Sequence, residues 1–184
     1  MRGQPGQLEF SVRSGAIQIA WNDEGLLTRV QIFSAGGQGS LDDSPWVPKR
    51  AIRLIENMVD YFDRGSPLDQ ISWEDLAISE WSEFQKKVYQ ATSLIPHGET
   101  RTYGWVAHKI GKTLACRAVG QALSKNPVPL LVPCHRVVSN HSLGGFMGED
   151  DPDAPVVGLK RQLLDLEHDF KNPAFSFFGS AAQA

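Results

Sequence analysis

The fold of this 184-residue chain turns on the stretch Thr102-Tyr103-Gly104-Trp105-Val106-Ala107-His108-Lys109-Ile110-Gly111-Lys112-Thr113-Leu114-Ala115-Cys116-Arg117-Ala118-Val119-Gly120-Gln121-Ala122-Leu123-Ser124. Thr102 can cap a helix from Tyr103 to Ile110, stopped by Gly111. Thr113 can cap a second, from Leu114 to Ser124, which must end before Asn126-Pro127. Two short helices joined by Gly111-Lys112-Thr113 have the dimensions of a helix-turn-helix. In the second helix Ala115, Ala118, Gly120 and Ala122 are small, and Arg117 is the only charged residue. Glycine inside a helix costs roughly 1 kcal/mol against alanine. Gly120 therefore points to close approach of something, either another helix or a nucleic-acid backbone.

Charge bears on that choice. The chain carries a net −3, but the average conceals a segregation. From Gln85 to Ser139 lie Lys86, Lys87, Arg101, Lys109, Lys112, Arg117, Lys125 and Arg136 against the single acid Glu99, a net +7, and the flanks together carry −10. A basic middle between acidic ends suits phosphate recognition, although a solvated basic face gives the same count.

Working outward, Ser82-Glu83-Phe84-Gln85 fits a capping box for a helix that runs to about Leu94 and stops before Pro96-His97-Gly98. Upstream, Leu8 to Arg13, Ala16 to Trp21 and Leu26 to Phe33 are rich in strand-forming residues, with Asn22-Asp23-Glu24-Gly25 as a hairpin turn. Ser34 to Ser44 reads as a loop. Pro48 opens a helix in which Ile52, Ile55, Val59 and Phe62 recur at helical spacing, and Gly65 ends it. This predicts a small N-terminal α/β domain over 1–79, a linker within 66–79, a helical domain over 80–171 and a tail over 172–184.

Apolar content of 41% and charged content of 21% are those of a globular protein. No apolar run approaches the roughly 18 residues of a membrane span, and Met1 to Gln7 lacks the apolar core of a signal peptide. With two cysteines, the expectation is a reduced intracellular compartment (cytoplasmic, with the nucleoid or nucleus as alternatives set by organism) and no disulfide between Cys116 and Cys134.

Leu130 to Val132 is an apolar, strand-like run that leads into Pro133-Cys134-His135-Arg136-Val137-Val138. A cysteine beside a base and a cation is a candidate nucleophile, because the thiolate fraction rises there. Adjacency alone does not establish contact, and a buried, inert thiol is the competing reading. Cys116, in the small-residue helix, suits that inert reading.

Here the chain resembles a known family. Ile95-Pro96-His97-Gly98-Glu99-Thr100-Arg101-Thr102-Tyr103-Gly104, Arg117-Ala118-Val119-Gly120, Asn126-Pro127-Val128-Pro129, Pro133-Cys134-His135-Arg136-Val137-Val138, Leu143-Gly144-Gly145-Phe146 and Leu159-Lys160 match the order and spacing of the O6-alkylguanine-DNA alkyltransferases, from about Phe84 to Glu167. The resemblance implies an α+β fold: a ribonuclease H-like α/β N-terminal domain, then a winged-helix-like helix-turn-helix domain. It also implies irreversible alkyl transfer from O6-alkylguanine in duplex DNA onto Cys134, by a monomer with no metal or cofactor and no membrane partner. His135 would take the thiol proton through a bound water, Glu167 would orient His135, and Asn126 would brace the cysteine turn. Arg117 would fill the gap left by the extruded base. Tyr103 would press on the target phosphate and donate to the flipped base. Ala118, Gly120, Lys125 and Arg136 would meet DNA. Gly145, Phe146, Met147 and Val137 would line the pocket, with the carbonyls of Cys134 and Val137 accepting from the guanine amine. Asp165 and His168 neighbour Glu167 on the helix surface and could orient the histidine in its place.

The chain departs from the family after Gly144-Gly145. Phe146 stands where a tyrosine is usual, and the loop to Pro155 is longer and carries Glu149, Asp150, Asp151 and Asp153. Such a loop could admit bulkier alkyl groups, or weaken DNA binding if its carboxylates face the phosphates. Trp105 is an unusual aromatic beside Tyr103. No cysteine or histidine precedes His97, so the N-terminal zinc ligands of some relatives are absent. Two rival functions remain open. One is a lesion sensor that binds alkylguanine without repairing it, and the other is a cysteine hydrolase built on Cys134 and His135.

Overall fold

The computed structural model describes residues 4–13, 15–34, 46–68 and 72–172. Residues 35–44 of the expected loop, 69–71 of the expected linker and 173–184 of the tail lie outside them. The described residues form an α+β fold. Strands β1 (Gly6–Val12), β2 (Gly15–Trp21) and β3 (Leu27–Ser34) make an antiparallel sheet in that order. The Asn22 to Gly25 turn is held by its own chemistry: Asn22 Oδ1 accepts from the amides of Glu24 and Leu26, at 3.1 and 2.9 Å. Strand alternation buries Ile17, Ile19 and Trp21, and burying aliphatic side chains of this size contributes about 1.5–3 kcal/mol each.

Helix α1 (Lys49–Arg64) begins after Pro48 and ends on Gly65 in the left-handed conformation. It packs against β1 and against the last helix of the chain. Its buried stripe is Ala51, Leu54, Met58, Tyr61 and Phe62; of the expected Ile52, Ile55, Val59 and Phe62 series, Phe62 is buried and Ile55 and Val59 are half-buried. Two apolar series run along this helix, and the core takes the one carrying Met58 and Tyr61, leaving Ile52 47% exposed. The segment after it is more ordered than a bare linker. Two short 3-10 turns, Trp73–Asp75 and Ile78–Glu80, pack Trp73 edge-on to Trp81. Main-chain bonds from Ala77 to Leu27 (2.9 Å) and from Val30 to Pro127 (2.8 Å) tie β3 to the second half of the chain, and the apolar core is continuous across residue 79.

Helix α2 (Glu83–Ser93) has the full capping box, with Ser82 and Gln85 each serving the other's amide. Helix α3 (Tyr103–Lys109) is capped by Thr102, whose hydroxyl accepts from the Trp105 amide at 3.1 Å. Helix α4 (Cys116–Ser124) starts two residues later than its sequence pattern predicts. Its N-cap is Ala115, Thr113 makes no cap, and Leu114 is 99% exposed. The cause is a tight turn in which the Ala115 amide donates to the Lys112 carbonyl, which spends Thr113 and Leu114 on the reversal. Strand β4 (Arg101–Thr102) pairs in parallel with β5 (Val137–Val138), and helix α5 (Pro155–Lys171) closes the structure.

Candidate active site

The Leu130 to Val132 run is a turn, not a strand. Pro129 and Pro133 flank it without amide donors, and Leu130 takes φ 72°. Asn126 holds the turn together. Its Oδ1 accepts from the Val128 amide (3.1 Å), and its Nδ2 donates to the Val132 carbonyl (2.9 Å) and to Cys134 Sγ (3.2 Å). Cys134, His135 and Arg136 then form one 3-10 turn. Their side chains therefore fan out instead of alternating across an extended strand.

Cys134 is 6% exposed. Burial pushes its thiol above the ordinary value, against the Asn126 hydrogen bond and the Lys160 charge, which pull it down. The resting group is a thiol, so the chemistry needs a base. His135 is fully buried, and burial lowers its pKa despite the opposing Glu167 carboxylate. It therefore rests as neutral imidazole at neutral pH. Its Nε2 lies 2.7 Å from Glu167 Oε1. A carboxylate can only accept, so Nε2 carries the proton and Nδ1 keeps its lone pair. Among the described residues that buried Nδ1 has no hydrogen-bond partner.

Glu167 is the hub. Arg136 Nε donates to its Oε2 at 2.9 Å and Arg136 Nη2 to its Oε1 at 2.9 Å. The Gly98 amide donates to Oε2 at 2.9 Å, and the Tyr61 hydroxyl to Oε1 at 2.8 Å. Burial opposes its charge, but His135 and Arg136 together outweigh burial and hold the carboxyl well below the usual range. Asp165 and His168 are exposed and take no part. The resemblance places Arg136 at DNA, and the structure corrects this. Arg136 is buried, bonded to Glu167 and to the Ile95 carbonyl (2.9 Å), with His97 Nδ1 at 3.3 Å. A buried carboxylate requires a partner more than a surface phosphate requires one more cation.

Lys160 has no assigned role in the sequence motif, and the structure gives it one. Its buried ammonium donates to the carbonyls of Val137 (2.7 Å) and Gly145 (3.0 Å), and burial lowers its pKa to about 8. Lys160, Leu163 and Glu167 share the buried face of α5. Two charged residues on an apolar stripe at i and i+7 were a legible signal. Tyr61 carried no comparable mark, because a tyrosine in a helical apolar series reads as core.

A cavity of about 880 Å³ opens over Cys134, within the range of small-molecule sites. Tyr103, Arg117, Gly120, Gly145, Phe146 and Met147 all line it. Val137 does not; its side chain is wholly buried, and its carbonyl already receives Lys160. Tyr103 is half-buried between α4 and the glycine pair, its hydroxyl 3.5 Å from the Gly145 carbonyl. Gly144 has a left-handed φ of 70°, and a Cβ there would meet that ring at a tight 3.1 Å. Gly120 faces Tyr103, and a methyl there would meet it at an ordinary 3.8 Å. No neighbouring helix demands this glycine, so the space it leaves belongs to the cavity. Arg117 is exposed and, among the described residues, has no ion-pair partner; Ala118 sits beside it, half-buried. Lys125 lies away from the cavity, in a groove with Arg29.

Cys116 reverses its expected state. It is exposed, at the first residue of α4, and lines the same cavity. The acidic loop largely binds itself. Glu149 Oε1 accepts from the amides of Asp150 and Asp151 (2.8 and 3.0 Å), and Asp151 from that of Asp153 (3.0 Å). Asp150 alone of the four acids borders the cavity.

Residues 83–169 match the family model of the 6-O-methylguanine DNA methyltransferase DNA-binding domain. The methylated-DNA–protein-cysteine methyltransferase of Methanosarcina acetivorans is 47% identical over 160 residues, covering 86% of this chain and 95% of that protein. The namesake from Methanosarcina barkeri is 35% identical over 156 residues, covering 83% and 90%. Among solved structures, Mycobacterium tuberculosis OGT in complex with DNA superposes with a TM-score of 0.67 at 32% identity, covering 89% of this chain and 93% of that one. On these matches, which span both halves of the molecule, the chain belongs to the 6-O-methylguanine DNA methyltransferase family.

Proposed function

We propose that the protein repairs O6-alkylguanine in duplex DNA by moving the alkyl group onto its own Cys134, once per molecule. The observation that carries this reading is Cys134, held by Asn126 and followed in the same turn by the buried His135–Glu167 pair, lining a cavity that Arg117 also lines from the second helix of the helix-turn-helix.

A groove-bound protein cannot reach the alkyl carbon while the base is stacked, so the base must leave the duplex. Arg117 then occupies the gap, and the small residues Ala118 and Gly120 let α4 sit close to the groove. His135 Nδ1 takes the Cys134 proton through a water. The thiolate attacks the alkyl carbon in line, the S–C bond forms, and the C–O6 bond breaks with its electron pair leaving on guanine. The guanine regains a proton, with Tyr103 placed to donate toward it. Lys160 favours the thiolate as it forms. Preorganised charge of this kind acts most strongly where water is excluded. A thioether has no easy hydrolytic exit, so each molecule reacts once. No metal or cofactor is needed, and the partner is double-stranded DNA met by a monomer in a reducing, cytoplasmic setting where free thiols persist.

The test is a duplex with one O6-methylguanine, scored for restored guanine against protein added. Restoration should stop at one lesion per chain. Tight binding with the lesion unchanged would favour the lesion sensor, and turnover of ester or amide substrates would favour a hydrolase.

A further inference from the structure

We infer that Tyr61, delivered from helix α1 of the N-terminal half, is a positioning residue for the His135–Glu167 pair. Its hydroxyl fixes the carboxylate that faces the imidazole and takes up part of that carboxylate's charge. The inference rests on the alkyl-transfer reading for its consequence, but its physical content does not.

The geometry is specific. Tyr61 is fully buried, and its hydroxyl donates to Glu167 Oε1 at 2.8 Å. The same oxygen receives His135 Nε2 at 2.7 Å and Arg136 Nη2 at 2.9 Å. Arg136 Nε also approaches it at 3.2 Å, so donors from three side chains crowd one oxygen, and the carboxylate cannot rotate without stranding one of them. The phenol oxygen lies 3.5 Å from His135 Nε2. Burial, then the Glu167 charge, hold the phenol far above its ordinary value, so it remains a donor across the working pH range. The groups facing the pair are Tyr61 from α1, His97 and the Gly98 amide after α2, Arg136 from the cysteine turn, and Lys160 from α5. Tyr61 is the neutral side-chain donor among them. From the described N-terminal half, it is Tyr61 whose side chain hydrogen-bonds to Glu167 and approaches His135.

Removing the hydroxyl leaves the carboxylate more basic and freer to turn. A more basic carboxylate stabilises imidazolium, so His135 should titrate at higher pH. Strengthening the donor should do the opposite. Tyr61→Phe keeps the ring against Phe62 and His97, which it meets edge-on at 5.3 and 6.1 Å. A 3-fluorotyrosine placed at position 61 alone makes a more acidic donor with almost no change in packing.

The experiment uses the full chain and two readouts: NMR titration of His135, and the pH profile of Cys134 alkylation by free O6-benzylguanine. Met58→Ala on the same helix serves as the packing control. Tyr61→Phe should raise the His135 midpoint and slow alkylation about tenfold on the plateau, a fraction of the 10²–10⁴ that a positioned base contributes. Fluorotyrosine should lower the midpoint, and Met58→Ala should leave it unmoved. Unchanged midpoints in both Tyr61 variants, or a change equal to that of Met58→Ala, would overturn the inference. If wild-type protein is not alkylated at all, the functional reading fails, and the His135 titration still judges Tyr61.

Discussion

The two halves of this molecule bury different things. Around β2 and α1 the core is Ile17, Ile19, Trp21, Leu54 and Met58, all without charge. Every buried polar or charged residue among the described ones, Thr92, His135, Arg136, Lys160 and Glu167, lies in the second half. Buried ions are costly unless paired, and replacing them with apolar residues is often neutral or stabilising. Their concentration around Cys134 therefore marks the half that performs chemistry. The N-terminal half supplies packing and, through Tyr61, one hydroxyl.

The contrast breaks most sharply with one deletion in each half. Glu167→Ala strands Arg136 and His135, so it should cost about 3–5 kcal/mol of stability. It should also slow alkylation of the molecules that remain folded by about 10² or more, since the base loses its orienter. Met58→Ala opens a cavity for about 2–5 kcal/mol yet should leave the rate per folded molecule unchanged. Denaturant melts paired with alkylation rates check both, and a large rate loss in Met58→Ala would erase the distinction.

Arg117 sharpens the picture inside the second half. It lines the cavity but bonds to none of Asn126, His135 and Glu167, so Arg117→Ala should slow repair in duplex DNA by about tenfold or more, the cost of a few kcal/mol of unstacking. Reaction with free O6-benzylguanine should hardly change. Equal losses with both substrates would place Arg117 in the chemistry.

The smallest effects are in pH. Glu167 has its carboxyl depressed below the ordinary 4.5, so its stabilisation is present above that value and is lost as pH falls through the folded pKa. Lys160 has the same sign in an alkaline window, but there it is burial that penalises the charged form. Folded, it releases its proton near pH 8; unfolded, it does so near 10.5. The unfolded chain binds more protons between those values, so Lys160 makes stability rise with pH across that window. Melts of wild type and Lys160→Met from pH 7 to 10.5 should differ in slope, and parallel curves would contradict the burial of a charged lysine.

Local chemistry was legible where a side chain serves its own backbone. Ser82 and Thr102 cap the helices expected of them because capping needs only residues three apart. Thr113 makes no cap because the Lys112 to Ala115 turn consumes its place. The site was half legible. Cys134, His135, Asn126 and Glu167 converge as expected, but Arg136 reads as a DNA contact because its true partner lies 31 residues away. Tyr61 meets His135 across 74 residues, a distance over which no local pattern speaks. Cys116 looks like core in a run of small residues, and only the position of α4 turns it outward.

That reversal sets the most direct measurement. Two thiols share one cavity, the exposed Cys116 and the buried Cys134. Accessibility alone favours Cys116, and a built relay favours Cys134. After incubation with a duplex carrying one O6-methylguanine, intact-mass spectrometry with peptide mapping should find one methyl per chain, on Cys134. Methylation on Cys116, or on neither thiol despite DNA binding, would contradict the account.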